Sequence, residues 1–567
     1  MNQSSRSLAE LVSDATPTGE LARGTTARSR GAGLEMLRSA RSGWRWAALP
    51  FGVLYLVLLA ARLRGVIATT NLDADAVSAP VIGELFGGAG PHASVVLGTF
   101  GWYSALLFEL ATKWLPAHRE IWEVGPYAMA LAGAALTAWS VWQLAGRWAA
   151  SITAVLLICA APDTLHLLLS MTQHAPTWFC CALLAAFLVL LERRASTTRP
   201  LVLVVLAVVV GTIVGVNAAA DLLLTIAGLV PFVLAAVVSY LLARDPDSTR
   251  ALQVTVLMLV VVGISWGITD AAMSAWNVGP QPGLDNTSLA GVAQIGTNFR
   301  LWWQSIASLG NGDYFGRALS FSSGLAVVCA GLSIAAVVLL PGIGWHELRR
   351  RATAKGLPAL RGRLAIVVFW CSSAILLTLA FLLSGLPLDR HADRYLVGLI
   401  YAVAAVIPVF AARRSLTQAV ALLGACVFAL GGITSMLQGV YTRNTERFPP
   451  TSLAHQIASV AATHDLRYGY AGYWDAAPIT WAAHLRVQVY PVSICDQGAH
   501  LCRFDLHVIT SWYRPRPAIR SFLLVDPAHP LVSAPTPDLG APTAIYHIGR
   551  IAMYVYPYDV ASKIAPS

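Results

Sequence analysis

Eleven long apolar runs constrain this chain more than any other feature. They lie near residues 46–62, 126–145, 149–162, 175–192, 201–217, 222–243, 251–270, 323–343, 364–384, 396–412 and 416–440. A helix needs ~20 apolar residues to cross about 30 Å of hydrocarbon, and all but the short third run approach that length. Only 12% of the residues are charged and the mean hydropathy is +0.62, whereas soluble domains carry roughly 25% charge. So many separate runs exclude a soluble protein with one large core. The expected fold is a polytopic α-helical membrane protein of about 11 spans. The stretch 94–116, rich in Leu, Trp and Phe but carrying Glu109 and Lys113, reads as interfacial rather than spanning.

Basic residues set the expected orientation. With the N-terminus in the cytosol, 21 of the 39 Lys and Arg residues fall on the cytosolic side, among them Arg193, Arg194, the run 349-RRRATAK-355, Arg413 and Arg414. The outside loops hold 8 and the tail after residue 440 holds 10. An odd number of spans places that tail outside. The net charge of +10 is then topology, not a nucleic-acid footprint. Six of the eight cysteines lie in apolar runs, where Cys acts as a small apolar residue. The other two, Cys495 and Cys502, are spaced for a loop disulfide, which suits an oxidising compartment. A zinc site of the usual kind would need a second such pair.

Residues 1–45 are polar and rich in Ser, Thr, Gly and Arg, and read as a flexible cytosolic tail ahead of an uncleaved signal anchor at 46–61. Residues 46–440 form the membrane module, with outside loops at 63–125 and about 271–322. In residues 441–567 an amphipathic stretch, 451-TSLAHQIASVAATHDL-466, precedes β-rich runs at 485–492, 506–513, 520–526 and 551–556. That texture reads as a small extracytoplasmic α/β domain. There is no internal repeat of the kind that marks inverted-repeat transporters.

Chemistry concentrates in 71-NLDADAVSAPVIGELF-86, where Asp73 and Asp75 open the first outside loop. An Asp-x-Asp pair can hold a divalent metal and a nucleotide-sugar diphosphate, but nucleotide sugars are cytosolic. Outside, an available donor is a sugar on a polyprenyl phosphate. One carboxylate would take the proton of an acceptor hydroxyl while its neighbour orients the acceptor or binds a cation. The plain alternative is a solvated loop. Arg390 and Arg394, in 384-SGLPLDRHADRYL-396, are four apart and can share one helical face. Their guanidinium groups suit phosphate oxygens, or else they snorkel at the membrane boundary. Asp221 is a functional candidate as an ionisable group near a helix end, or caps the next helix. His174 would line an acceptor site or simply mark a boundary. Trp102 and Tyr103 would stack on a sugar ring or join the interfacial belt, and 468-YGYAGYWDA-476 offers sugar-binding aromatics or a small core. Asn286 begins a formal glycosylation sequon.

Four segments together resemble the polyprenyl-phosphate-sugar-dependent glycosyltransferases of the GT-C fold, in the aminoarabinose-transferase and protein-mannosyltransferase group. They are 72-LDADAVSAPVIGEL-85, 98-GTFGWYSALLFEL-110, 146-GRWAA-150 and 393-DRYL-396, and the resemblance covers roughly residues 45–412. It implies Asp75 as base with Asp73 assisting, and a clamp for the lipid phosphate made by Arg390, Arg394 and Tyr395. One departure is Ala76, where the family often has Glu. The implied partners are a polyprenyl-phosphate sugar, membrane lipids and an envelope glycan, lipid or protein acceptor, with a divalent cation left open as cofactor and no metal ligands assigned. The rival readings are a lipid or solute transporter, with Asp73, Asp75 and Asp221 on a polar path, and a non-catalytic assembly protein.

Overall fold

The computed structural model describes residues 46–565 apart from 71–73, 87–92, 98–101, 117, 170–173, 196, 281–287, 354–358, 388, 439–450, 496–497, 499 and 528–529. The tail read over 1–45, Asp73 and Asn286 therefore lie outside the described residues. In chain order the helices are α1 (Leu49–Thr70), α2 (Ala74–Phe86), α3 (Trp102–Thr112), α4 (His118–Ala145), α5 (Arg147–Ile158), α6 (Pro162–Leu169), α7 (Ala175–Arg194), α8 (Pro200–Ala220) and α9 (Thr225–Ala243). They continue with α10 (Pro246–Ala275), α11 (Val292–Leu309), α12 (Phe321–Thr353), α13 (Ala359–Leu383), α14 (Gly398–Ala411), α15 (Ser415–Gln438), α16 (Thr451–Thr463) and α17 (Tyr473–Ala482). A 3-10 helix, Arg390–Leu396, leads into α14.

Every expected span contains a helix among the described residues. Nine helical segments among the described residues are long and apolar enough to cross a membrane, and Leu49–Leu63 and Arg147–Ile158 are shorter apolar helices. The protein is a polytopic helical membrane protein. The short third span has a local cause: α5 stops at Ile158 and α6 restarts at Pro162, whose ring disfavours helix at Ala161. Asn311 covers the break. Its Nδ2 donates to the Cys159 and Phe428 carbonyls, both at 2.8 Å, and its Oδ1 accepts from the Ala161 amide at 2.6 Å.

Lipid offers backbone groups no partners, so helices meet through small residues and internal hydrogen bonds. Gly211 and Gly215, four apart on α8, face α10. A Cβ on Gly215 would lie 2.6 Å from the Val262 carbonyl oxygen. α9 begins with a π-helical turn, Thr225–Leu229, and Ser373 of α13 donates to its Ala227 carbonyl at 2.7 Å.

The tail forms an α/β domain around a seven-stranded sheet of order β10-β5-β4-β3-β7-β9-β8. These strands are β3 (Tyr468–Ala471), β4 (Gln488–Cys495), β5 (His500–Arg503), β7 (Ser521–Val525), β8 (Ala544–Ile548), β9 (Ile551–Tyr556) and β10 (Ile564–Ala565). β3 pairs in parallel with both β4 and β7, and α17 is the crossover between β3 and β4. Cys495 and Cys502 are joined by a disulfide across the β4–β5 hairpin, with Cα atoms 5.8 Å apart.

The stretch 94–116, read as interfacial rather than spanning, holds a short helix, α3, and more than helix. It contains a strand, β1 (Val95–Leu97), which pairs in parallel with β2 (Val278–Pro280) and antiparallel with β6 (Val508–Ile509). This small sheet joins the first loop, the second loop and the C-terminal domain. Two- and three-residue strands are too short to show alternation in sequence.

Candidate functional site

α2 carries Asp75 in its first turn, where the helix dipole favours negative charge. The helix is held from two sides. Pro80 lacks the N–H that would bond the Ala76 carbonyl, and the Trp122 indole of α4 donates to that carbonyl instead, at 3.1 Å. On the other side Ala76, Val77 and Ile82 enter one buried apolar cluster with Tyr470, Trp481, Tyr490 and Trp512 of the C-terminal domain. α17 packs along α2, and Arg119 of α4 fastens α17 by donating to the Trp481 carbonyl with its guanidinium 3.9 Å from that ring.

This docking brings Tyr473 to Asp75. Tyr473 is the first residue of α17, just past the carboxyl end of β3, the edge at which parallel sheets place ligand-binding groups. Its hydroxyl donates to Asp75 Oδ1 at 2.5 Å. Its ring is fixed against Trp474, Phe504 and His507, with centroids 5.0, 5.2 and 6.0 Å away. Burial pushes the His507 imidazole down to about 3, so this neighbour is neutral at physiological pH.

Arg394 is within electrostatic reach of the Asp75 carboxylate. It donates to the Tyr395 hydroxyl at 3.2 Å and lies 5.1 Å from that ring. The segment winds as a 3-10 helix, which turns about 120° per residue, so positions three apart align rather than the four separating Arg390 from Arg394. The Arg390 side chain is outside the described residues. Loop-to-loop bonds hold the segment: Ala290 N to the Leu383 carbonyl at 2.8 Å, and Gly385 N to the Ser288 carbonyl at 2.9 Å. Asn298 Nδ2 adds bonds to three carbonyls, those of Phe381, Leu382 and Ser384.

Tyr395 leads to two residues expected separately, His174 and Asp221. Its ring meets His174 at 5.4 Å, and His174 Nδ1 is 2.7 Å from Asp221 Oδ2. Asp221 also accepts from the Thr177 hydroxyl and, through Oδ1, from the Leu223 amide at 3.0 Å. It both caps the following turn and orients His174, and both residues are 3% exposed. Thus Asp75, Arg394, Tyr395, His174 and Asp221 form one connected chain at one end of the helices. Tyr103 instead packs against the apolar cluster beside α2. Trp102 begins α3, and its side chain is outside the described residues.

Two features of the region were missed in sequence. Tyr473 stood out only as part of an aromatic-rich stretch, with nothing local to link it to Asp75 398 residues away. The second is a cluster of Glu84, Glu109 and His118. Burial, and after it Glu84, pushes the Glu109 carboxyl up to about 7.

A set of apolar helices with long connecting loops and a C-terminal α/β domain packed on an acidic first-loop helix has the architecture of a GT-C-fold membrane protein. The chain is similar to the crystal structure of ArnT from Cupriavidus metallidurans bound to undecaprenyl phosphate, with a TM-score of 0.50 and 14% identity over 88% of this chain and 97% of that one. It is equally similar to the apo state of that protein, with a TM-score of 0.51 and 15% identity over 92% and 100% of the two chains. No protein-family model and no curated protein sequence matches the chain.

Proposed function

We propose that this protein is a membrane glycosyltransferase that moves a sugar from a polyprenyl-phosphate donor to a hydroxyl of an envelope glycan, lipid or protein. The observation that carries the reading is the meeting of Asp75 with Arg394 and Tyr473, a carboxylate beside one cation and one hydroxyl donor. In this reading the acceptor oxygen attacks the anomeric carbon and its proton passes to Asp75. The bond from that carbon to the phosphate oxygen breaks, and its electron pair leaves on the polyprenyl phosphate. A single displacement of this kind inverts the anomeric centre. Arg394, with Arg390 and Tyr395, stabilises the charge that grows on the leaving phosphate. His174 and Asp221, both buried, act by fixing the Tyr395 ring rather than by meeting substrate. Asp73 assists Asp75, and Trp102 and Tyr103 are the candidates for sugar stacking.

An apolar cavity of about 320 Å³ runs beside α14, lined among others by Leu156, Leu309, Leu332, Leu399, Val403 and Phe428. It suits a segment of the prenyl tail. The fold shared with a protein crystallised with undecaprenyl phosphate supports the same donor class. The basic-residue distribution supports a cytosolic N-terminus, with the site and the C-terminal domain on the outer face.

The test is transfer of labelled sugar from a panel of polyprenyl-phosphate pentoses and hexoses in membranes carrying wild type or Asp75→Asn at equal expression. Loss of a general base lowers the rate by about 10²- to 10⁴-fold. Undiminished transfer by the variant would remove Asp75 from the mechanism. No transfer by the wild type with any donor would move the reading toward a transporter.

A further inference from the structure

Three parallel strands, β4, β3 and β7, begin at one edge of the C-terminal sheet, and an arginine marks each start. Arg467 directly precedes β3, Arg520 directly precedes β7, and Arg486 lies two residues ahead of β4. Tyr468 pairs with both Gln488 and Ser521, and the Gln488 amide donates to the Arg467 carbonyl at 2.8 Å. Arg467 and Arg520 therefore stand on adjacent strands, about 4.8 Å apart. The loop into β7 carries Arg514 and Arg516, and Pro515 and Pro517 stiffen it. Arg467, Arg486, Arg514 and Arg520 are all exposed. Like charges side by side repel, and little here offsets them. Asp559 is buried and taken by Arg516, through Nη1 at 3.3 Å and the backbone amide at 2.9 Å. Asp465, exposed two residues ahead of Arg467, is the one carboxylate in the segments that hold the arginines. Arg467, Arg486 and Arg514 make no ion pair among the described residues, and Arg520 donates to the His464 carbonyl at 2.9 Å. Aromatic rings lie beneath. The half-buried Tyr468 ring is 4.1 Å from the Arg516 guanidinium, and Tyr490 stacks on Trp512 at 4.8 Å.

We propose that this edge binds an acidic glycan, with its carboxylate or phosphate groups on Arg467, Arg486, Arg514 and Arg520 and its sugar rings against Tyr468. The choice of a glycan rests on the proposed function, which puts the domain on the outer face and makes envelope glycans an acceptor class. Planar guanidinium forks suit both kinds of anion. Several arginines spread over three strand starts fit a repeating charge better than a single ion. The edge is also separate from the reaction site. Tyr473 follows the opposite, carboxyl end of β3, and the four residues of that strand span roughly 13 Å. The surface thus holds an acceptor chain while one of its hydroxyls reaches Asp75, and it favours acidic acceptors over neutral ones.

The test titrates full-length protein in neutral detergent against fluorescein-labelled oligogalacturonate, phosphorylated dextran and plain dextran, read by anisotropy. Wild type should bind at least one of the two acidic probes, more weakly as salt rises, and should not bind plain dextran. Arg467→Gln/Arg520→Gln and Arg486→Gln/Arg514→Gln should each weaken binding by roughly 3- to 30-fold. These side chains are exposed, so the melting temperature should stay at the wild-type value. Because the whole chain carries a net charge of +10, Arg349→Gln/Arg350→Gln near the end of α12 serves as control and should bind as wild type. Four results would overturn the proposal: wild type that binds neither acidic probe, arginine variants that bind as wild type, equal weakening in the control, or a DNA duplex bound as tightly as the acidic glycans. Binding is read without a sugar donor. Its failure would leave the role of Asp75 standing, and failure of transfer would leave the binding result standing.

Discussion

Tyr473→Phe isolates the contact between the C-terminal domain and Asp75. The substitution removes one oxygen and keeps the ring, so its packing against Trp474, Phe504 and His507 survives. What is lost is a 2.5 Å hydrogen bond to a carboxylate. Bonds to charged groups contribute about 1.5–3 kcal/mol, and each 1.36 kcal/mol is tenfold in rate. If the bond holds Asp75 in line for the acceptor proton, transfer should fall by roughly 10- to 100-fold, mostly in kcat. A double-mutant cycle sharpens the expectation. In an Asp75→Asn background the same change should add little, because its partner's role is already gone. The assay is initial-rate transfer in proteoliposomes at saturating donor, with a thermal melt to confirm that the fold is intact. A single variant with wild-type kcat, or a loss fully additive with Asp75→Asn, would refute the coupling.

Arg394→Lys keeps the charge but loses the planar fork that suits phosphate oxygens, and should raise the donor KM by about tenfold with a smaller effect on kcat. Gly215→Val drives side-chain atoms into the Val262 carbonyl of α10; overpacking of this kind costs about 1–3 kcal/mol and should lower the melting temperature in detergent by several degrees. Asp475 is buried, and desolvation followed by repulsion from Asp526 pushes its carboxyl up to about 8. The folded state therefore holds a proton that the unfolded chain releases above about pH 4, so stability falls as pH rises from about 4 to 8. Asp475→Asn should flatten that slope and melt higher than wild type at pH 8, with a ceiling of roughly 5 kcal/mol. A variant that melts with the wild-type pH slope would show that Asp475 is ionised in the fold.

The spans were legible because lipid leaves no freedom in composition: a helix that crosses it must be apolar over its length, as α8 and α10 are. Asp75, Arg394, His174 and Asp221 were legible for the converse reason, since polar groups at the ends of such helices stand out. Their connections were not. The chain from His174 to Asp221 spans 47 residues and crosses two helices, and nothing in either segment encodes the partner. The C-terminal sheet was half legible. β4, β7 and β9 announce themselves as apolar runs, whereas β3, with Gly469 between Tyr468 and Tyr470, reads as an aromatic cluster. Gly469 has a physical reason: a Cβ there would lie 2.2 Å from the Phe522 ring of β7. Glu109 looked like a mark of an interfacial helix, because in sequence a buried carboxylate and a solvated one are the same letter.

The C-terminal domain is more than a cap in this arrangement. Its aromatic residues and the apolar face of α2 form one cluster, so neither surface is complete without the other. α2 is a 13-residue helix, a length that is marginal in isolation; it relies on that cluster, on the Trp122 bond to Ala76 and on the small sheet linking β1 to β2 and β6. The group proposed as base thus sits on a helix held by both halves of the protein, and the hydroxyl that orients it arrives from the later half. A site built this way couples docking of the domain to the geometry of the carboxylate. An acceptor that entered between α2 and α17 would disturb the Tyr473 bond, and one that entered from the Arg394 side would leave it intact. The second route is the one compatible with Tyr473 as a fixed positioning group, and under the proposed mechanism it would bring the acceptor hydroxyl to Asp75 from the side on which Arg394 lies.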